Sequence, residues 1–190
     1  MTKAFSLLAF SIALLIPAFG QTQAATFKVD NDFVHQQFGD GFTLLPEIPP
    51  VFGDLDGDGV EDVVIAARGK NPMSDQGDHN YRVIDPYYDF FGYGDPKLTT
   101  TFTESDPALR GLMLLVIHGV GKDAWRSAAP KAKFVIVNLP YRTIAVKKMK
   151  LRKRTIEAIY VEEGGTFKDT SALFFDGRKF RYVPMGGDME

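Results

Sequence analysis

The chain has no cysteine, one tryptophan and three histidines among its 190 residues. Disulfide bonds are therefore excluded, so stability has to come from a packed core and from any bound ion. Acidic and basic residues nearly balance, at 24 and 22, so the chain also lacks the positive excess of a nucleic-acid-binding protein. We expect a globular protein without covalent cross-links and without a nucleic-acid partner.

Long apolar runs are also rare, and the one near the N terminus has the features of an export signal. Lys3 precedes an apolar run from Phe5 to Ile16, which is shorter than the roughly 20 residues needed to cross a bilayer. Proline, glycine and small residues follow as far as Ala24. We predict that residues 1–24 are a cleaved signal peptide and that residues 25–190 form a single domain, periplasmic or secreted, without an integral membrane span. A buried N-terminal helix or a retained anchor is the alternative.

An aspartate-rich loop is the most informative motif of the chain. Asp54, Asp56 and Asp58 alternate along it, and the glycine after Asp58 permits a sharp bend, so three carboxylates can face one point. Such carboxylates repel one another unless a cation lies between them, and calcium prefers oxygen ligands. We predict a calcium site whose ligands are the carboxylates of Asp54, Asp56, Asp58 and Asp62 and the carbonyl of Val60. An acidic turn between strands that binds no ion is the alternative.

The loop differs from an EF-hand and is similar to another calcium motif. An EF-hand has a glutamate at its twelfth loop position and helices on both sides, but the twelfth position here is Ile65, inside the β-branched segment Val63–Ala67. With the preceding Phe52-Gly53, the loop resembles the FG-GAP repeat, the blade unit of integrin-type β-propellers, over residues 52–68. This resemblance implies a propeller-blade-like unit in which the loop holds calcium. Because no second loop of this kind occurs, whereas a propeller needs several blades, we expect a single such unit.

Short alternating or β-branched segments separated by turn residues predict a mainly β fold. We expect a single, mainly antiparallel β domain with two short helices, with an α+β fold as the alternative. The first helix is capped by Asp30, Asn31 or Asp32 and ends at Phe38, and the second runs from Asp123 to Ala129. The dipeptide Asp176-Gly177 predicts a type I′ hairpin. The predicted strands are Val63–Ala67, Leu98–Phe102, Leu112–Ile117, Phe134–Val137, Thr143–Leu151, Ile156–Val161, Ser171–Phe175 and Phe180–Val183.

The segment that ends in His118-Gly119 allows an enzymatic alternative. It is similar to the His-Gly turn that forms the oxyanion hole of α/β-hydrolases, which would place an exported hydrolase site near His118. That chemistry also needs a G-x-S-x-G nucleophile elbow, and the sequence contains none. We therefore predict no catalytic residues and interpret the segment as a buried strand that ends in a glycine turn.

Two further segments suggest binding surfaces. A basic run, Lys147 to Arg154, alternates with apolar residues, which is typical of an exposed strand at a sheet edge and would also suit an anionic surface. An aromatic-rich segment, Tyr81 to Tyr93, is predicted to be a loop whose rings either cover the edge of the core or stack on carbohydrate. The expected function is that of an exported, non-catalytic calcium-binding β domain with a structural or a ligand- or surface-binding role.

Overall fold

The computed structural model describes residues 27–92, 109–152, 154–165 and 168–185 of the chain. The predicted signal peptide and the predicted strand at residues 98–102 lie outside these ranges. Within them, strand residues outnumber helical residues, and the strands form two sheets. The fold is mainly β, as the sequence predicted. Among the described helices, none has the length and apolar character needed to cross a membrane.

Ten strands and three helices make up the regular structure of the described residues. The strands are β1 (Phe42–Leu44), β2 (Val51–Gly53), β3 (Asp62–Gly69), β4 (Arg82–Ile84), β5 (Leu112–His118), β6 (Ala132–Ile136), β7 (Thr143–Leu151), β8 (Arg154–Glu162), β9 (Ser171–Phe175) and β10 (Phe180–Pro184). The helices are α1 (Asn31–Phe38), α2 (Gln76–His79) and α3 (Pro86–Phe90), and a 3-10 turn spans Gly121–Asp123.

The first sheet contains the strands that carry the aspartate loop. Its order is β1-β3-β5-β6-β4, with β2 paired to β3 beside β1. The strand pairs are antiparallel, as expected of a mainly antiparallel domain, except that β4 and β6 run parallel; the long connection between them, which includes β5, makes this pairing possible. β5 is buried along its whole length, as is β3 from Asp62 to Ala67, which accounts for their continuous apolar sequences.

Helix α1 covers one face of this sheet. The Asp30 carboxylate accepts the backbone N–H of Phe33 at 3.0 Å, and the chain leaves the helix at Gly39, whose φ is +96°. Phe33, Val34 and Phe38 are buried against the odd-numbered side chains of β3 and β5. The first predicted helix is therefore confirmed, and Asp30 is the one of its three candidate caps that the structure uses.

The second sheet covers the other face of the first, in the order β10-β9-β8-β7. Its residues Ile159, Val161, Leu173 and Phe180 pack with the even-numbered side chains of β3 and β5. The domain thus has three layers, a helix and two sheets. Because β2 also contacts β7, the aspartate loop that follows β2 lies where the two sheets meet.

The predicted second helix, Asp123–Ala129, is wrong. The 3-10 turn ends at Asp123, and Ala124 then takes a positive φ of 53°, which a right-handed helix does not accommodate. The backbone N–H of Trp125 donates to the backbone carbonyl of Glu61 at 3.2 Å. The indole is buried in the core between α1 and the first sheet, which we call the helix-side core. Burial of the indole therefore determines the path of this segment.

Two local predictions are corrected in the aromatic segment and in the last hairpin. α3 forms where a loop was expected, because the Asp85 carboxylate accepts the N–H of Tyr88 at 2.9 Å and Pro86 starts the helix. The β9–β10 hairpin is present, but its loop has four residues, and φ is positive at Gly177 and not at Asp176, so the turn is not type I′. The Asp176 carboxylate instead accepts the N–H groups of the last two loop residues.

Candidate metal centre

The aspartate loop closes the antiparallel pair of β2 and β3, in which Gly53 lies opposite Asp62. The N–H of Asp54 donates to the Glu157 carboxylate of β8 at 2.7 Å. A side chain at Gly53 would collide with the side chains of Glu157 and Val146, so both would have to move to admit it. The loop is thus fastened to the second sheet at its N-terminal end.

Asp54 organises the bend of the loop. One of its carboxylate oxygens accepts the N–H groups of Gly57 and Asp58 at 2.8 and 3.0 Å, and the other accepts that of Gly59 at 2.9 Å. Both glycines have a positive φ, at 80° and 83°, a conformation that favours glycine. Asp56 and Asp58 each accept, through Oδ1, the N–H group two residues further on, at 3.2 and 2.9 Å. The backbone therefore curls around the carboxylates, as their spacing predicted.

Three carboxylates converge in this loop. One oxygen from each of Asp54, Asp56 and Asp58 lies within 4.8 Å of the others. Calcium binds oxygen at about 2.3–2.6 Å, so two ligand oxygens of one ion lie at most about 5 Å apart. The side chain of Asp56 is 4% exposed, whereas that of Asp58 is 30% exposed. The structure thus brings together three of the five predicted ligands at a spacing that suits a hard cation.

Asp62 has a different environment from the three converging aspartates. It is fully buried, and its two oxygens accept the N–H groups of Leu55 and Gly119, each at 2.8 Å. Burial raises the pKa of this carboxyl to about 7, although the two hydrogen bonds act in the opposite direction. Asp62 thus fastens the loop to the turn that follows β5. Its role as a ligand, like that of the Val60 carbonyl, stays a prediction.

Lys131, which immediately precedes β6, supplies a positive charge to the aspartates. Its Nζ lies 2.7 Å from Oδ2 of Asp56 and 2.6 Å from Oδ2 of Asp58. The hydrogen bond from Lys131 is the main reason that the pKa of Asp58 is lowered, and both carboxylates raise the pKa of Lys131. The carboxylates are therefore compensated within the chain, which the sequence did not predict. Lys131 is 73 residues from Asp58, and no local sequence pattern marks it.

His118 ends β5 beside Asp56, which confirms the predicted end of a buried strand. Its Nδ1 lies 3.4 Å from Oδ2 of Asp56, and its side chain is 1% exposed. The ring packs among Phe134, Phe175 and Phe180, with centroid distances of 5.2, 4.7 and 5.7 Å. Burial holds the pKa of His118 well below its usual value, so the ring is neutral at pH 7. The ring supports Asp56 from inside the core.

Trp125 supports the loop at a second place. Its Nε1 donates to the Glu61 carboxylate at 2.8 Å, and Phe52 packs against the indole with a centroid distance of 5.5 Å. Gly119 lies against this part of the chain, because a side chain at its position would collide with backbone atoms of Glu61, Ala124 and Trp125. Sequence reasoning missed this role of Trp125. The available signal was that it is the single tryptophan of the chain.

The first part of the basic run, as far as Leu151, lies on β7, the edge strand of the second sheet, and Arg154 begins β8. Lys153 lies outside the described residues. Lys147, Lys148 and Lys150 are exposed, whereas Met149 is buried, which confirms the predicted pattern of an edge strand. Lys147 pairs with Asp169 at 2.6 Å. Docking of this strand to an anionic surface stays a prediction.

The described part of the aromatic segment, as far as Gly92, is divided between the core and the surface, and Tyr93 lies outside the described residues. Tyr81 is buried in the helix-side core, and its hydroxyl donates to a backbone carbonyl at 2.9 Å. Tyr87 packs against Tyr182 of β10 with a centroid distance of 5.2 Å, and Phe90 and Phe91 are about half exposed. Part of this aromatic segment therefore covers the edge of the core, and carbohydrate binding stays a prediction.

The resemblance of residues 52–68 to the FG-GAP repeat rests on the motif alone. No family model, no curated protein and no solved structure matches the chain. The geometry of the aspartate loop therefore carries the functional conclusion.

Proposed function

We propose that this protein is an exported, non-catalytic calcium-binding β domain, in which calcium is held by an FG-GAP-like aspartate loop. The observation that carries the proposal is the convergence of Asp54, Asp56 and Asp58 within 4.8 Å. All three supply carboxylate oxygens, which suit calcium or magnesium rather than zinc. Calcium fits better, because magnesium demands a near-ideal octahedron that a loop with several backbone contacts does not readily form.

The contacts of the loop support a structural role for the ion. The loop is tied to the second sheet through Glu157, to the end of β5 through Gly119 and to the buried indole of Trp125. An ion held by the same loop would stabilise the place where these parts of the fold meet. A loop stiffened by the ion would also suit a protein that presents a binding surface to a ligand, to an anionic surface or to carbohydrate.

The surroundings of His118 give less support to a hydrolase site. A general base has to reach a proton of the substrate, but this ring is 1% exposed and packs among three phenylalanines. We therefore propose that His118 has a packing role beside Asp56. A screen of ester and phosphoester substrates tests this proposal, because turnover by the wild-type protein that His118→Ala abolishes would support the hydrolase instead.

Export is the part of the proposal that rests on residues 1–24. A charged start, an apolar middle and small residues before Ala25 are the features of a cleaved signal. We expect the protein recovered from a bacterial periplasm or from the culture medium to begin near Ala25, as mass spectrometry would show. Recovery of the exported protein with an intact Met1 would contradict this expectation.

Calcium titration of the purified protein tests the metal site. Extracellular calcium modules bind with a Kd of about 10⁻⁴–10⁻³ M. Calcium at ~100 times the Kd would add about 2.7 kcal/mol to the free energy of unfolding, since the unfolded chain has no preformed site. We expect heat of binding by calorimetry and a higher Tm in calcium than in chelator, with a much smaller effect of magnesium. Coincident melting curves and no heat of binding would defeat the proposal.

A further inference from the structure

We propose that Lys131 is a built-in competitor for the cation site, so that calcium binds by displacing the lysine ammonium from Asp56 and Asp58. This inference rests on the proposed calcium-binding function and adds a regulation of the same site. The consequence is that the calcium concentration at which the loop fills is set by an internal cation as well as by the ligands.

The two carboxylate oxygens of each aspartate, Asp56 and Asp58, have different partners. In both residues Oδ1 accepts a backbone N–H, and Oδ2 faces Lys131 at 2.7 and 2.6 Å. The hydrogen bonds from the backbone to Oδ1 hold the curl of the loop. The Oδ2 atoms of Asp56 and Asp58 are therefore the oxygens that can bind an ion while the loop keeps its shape. Lys131 holds both of these oxygens with one ammonium group, and charge-assisted hydrogen bonds of this kind are strong.

The position of Lys131 shows which partner moves. The side chain of Asp56 is 4% exposed and lies against the buried His118, so it has little freedom to turn away. The side chain of Lys131 is 46% exposed, while its backbone N–H is fixed by a hydrogen bond to the carbonyl of His118 at 3.0 Å. The ammonium can therefore swing into solvent while the start of β6 stays in place. Exchange of the two cations then requires a lysine rotamer change and no rearrangement of the loop.

Lys148 provides a matched control for the loss of a positive charge. It lines the same cleft as Asp54 and Asp56, a space of about 390 Å³, and it comes from the edge strand of the second sheet. Removal of its charge makes the neighbourhood of the loop more negative, as removal of the Lys131 charge does. Only the Lys131 change also frees the two Oδ2 atoms, so the difference between the two variants isolates direct competition from general electrostatics.

The test is calorimetric titration of calcium into the wild-type protein, Lys131→Met and Lys148→Met. We expect Lys131→Met to bind calcium about tenfold more tightly than the wild type, and Lys148→Met to stay within about twofold of it, because only the first change removes a charge in direct contact with the ligands. In chelator we expect Lys131→Met to melt at a lower temperature than the wild type, because the nearly buried Asp56 then lacks its counter-charge. In saturating calcium this difference should disappear or reverse.

The outcomes separate this inference from the proposed function. If the wild type binds calcium and Lys131→Met binds it no more tightly than Lys148→Met does, competition by Lys131 is overturned and calcium binding stands. If none of the three proteins binds calcium, the calcium function itself fails, and the competition fails with it. Tighter binding by Lys131→Met, together with its lower melting temperature in chelator, supports both.

Discussion

Asp62 and Asp56 belong to the same loop, yet their carboxylates face different partners. Asp62 is fully buried, and both of its oxygens accept backbone N–H groups. Asp56 is almost as buried, but its Oδ2 faces the ammonium of Lys131 and the neutral ring of His118. The comparison shows that burial alone does not decide the role of an aspartate. N–H partners make Asp62 a structural acceptor, whereas its cationic partner makes Asp56 the residue at which we propose that cations exchange.

The largest effect is expected from Asp62→Ala. This change leaves the N–H groups of Leu55 and Gly119 without their acceptor, and each buried unsatisfied donor costs about 1–3 kcal/mol. We expect the free energy of unfolding in chelator to fall by about 3 kcal/mol or more, as urea denaturation would measure. Asp169→Ala, which removes the exposed ion pair with Lys147, is the control. Unchanged stability of Asp62→Ala in chelator would contradict the structural role of this carboxylate.

A smaller effect, measured as the loss of stabilisation by calcium, is expected from Asp56→Ala. The change removes one of the three converging carboxylates. The gain of about 2.7 kcal/mol in the free energy of unfolding, expected for the wild type in calcium at ~100 times the Kd, should therefore vanish. Asp56→Asn should keep part of the increment, because the amide retains one ligand oxygen. Thermal melts with calcium and with chelator measure both variants. A full calcium increment in Asp56→Ala would remove this residue from the proposed site.

The smallest effect is expected from Glu157→Ala. Glu157 resembles Asp62 in that its carboxylate accepts a loop N–H, that of Asp54 at 2.7 Å, but this contact is only partly buried. We expect a loss of about 1 kcal/mol, equal in calcium and in chelator, because the hydrogen bond fastens the loop and does not require an ion. Urea denaturation under both conditions checks the equality. A loss confined to calcium would make Glu157 part of the cation site.

Local sequence patterns predicted a large part of this fold. β7 and β9 have the predicted bounds, because alternating side chains and turn residues mark strands over a few residues. The cap of α1 at Asp30 and the curl of the loop around Asp54 are also local, since each depends on hydrogen bonds to residues close in the chain. The mainly β fold and the three converging carboxylates followed from patterns of this kind.

Contacts between residues that are distant in the chain could not be predicted from local sequence patterns. Lys131 and Glu157 reach the loop only because β5 pairs with β6 and the two sheets stack. Asp62 has the spacing of a ligand, but the turn after β5 encloses it and supplies an N–H group. The helix predicted at residues 123–129 fails for a related reason, because burial of Trp125 outweighs local helix propensity.

The long sequence separation of the loop contacts has a consequence for folding kinetics. The hydrogen bond from Gly119 to Asp62 joins residues 57 apart, and that from Lys131 to Asp58 joins residues 73 apart. Such contacts form only after β3, β5 and β6 have come together, which is costly in loop entropy. We therefore expect a cation in this loop to leave the folding rate nearly unchanged and to slow unfolding. Stopped-flow unfolding in calcium and in chelator would show this as a longer lifetime of the folded protein, and equal unfolding rates would exclude it.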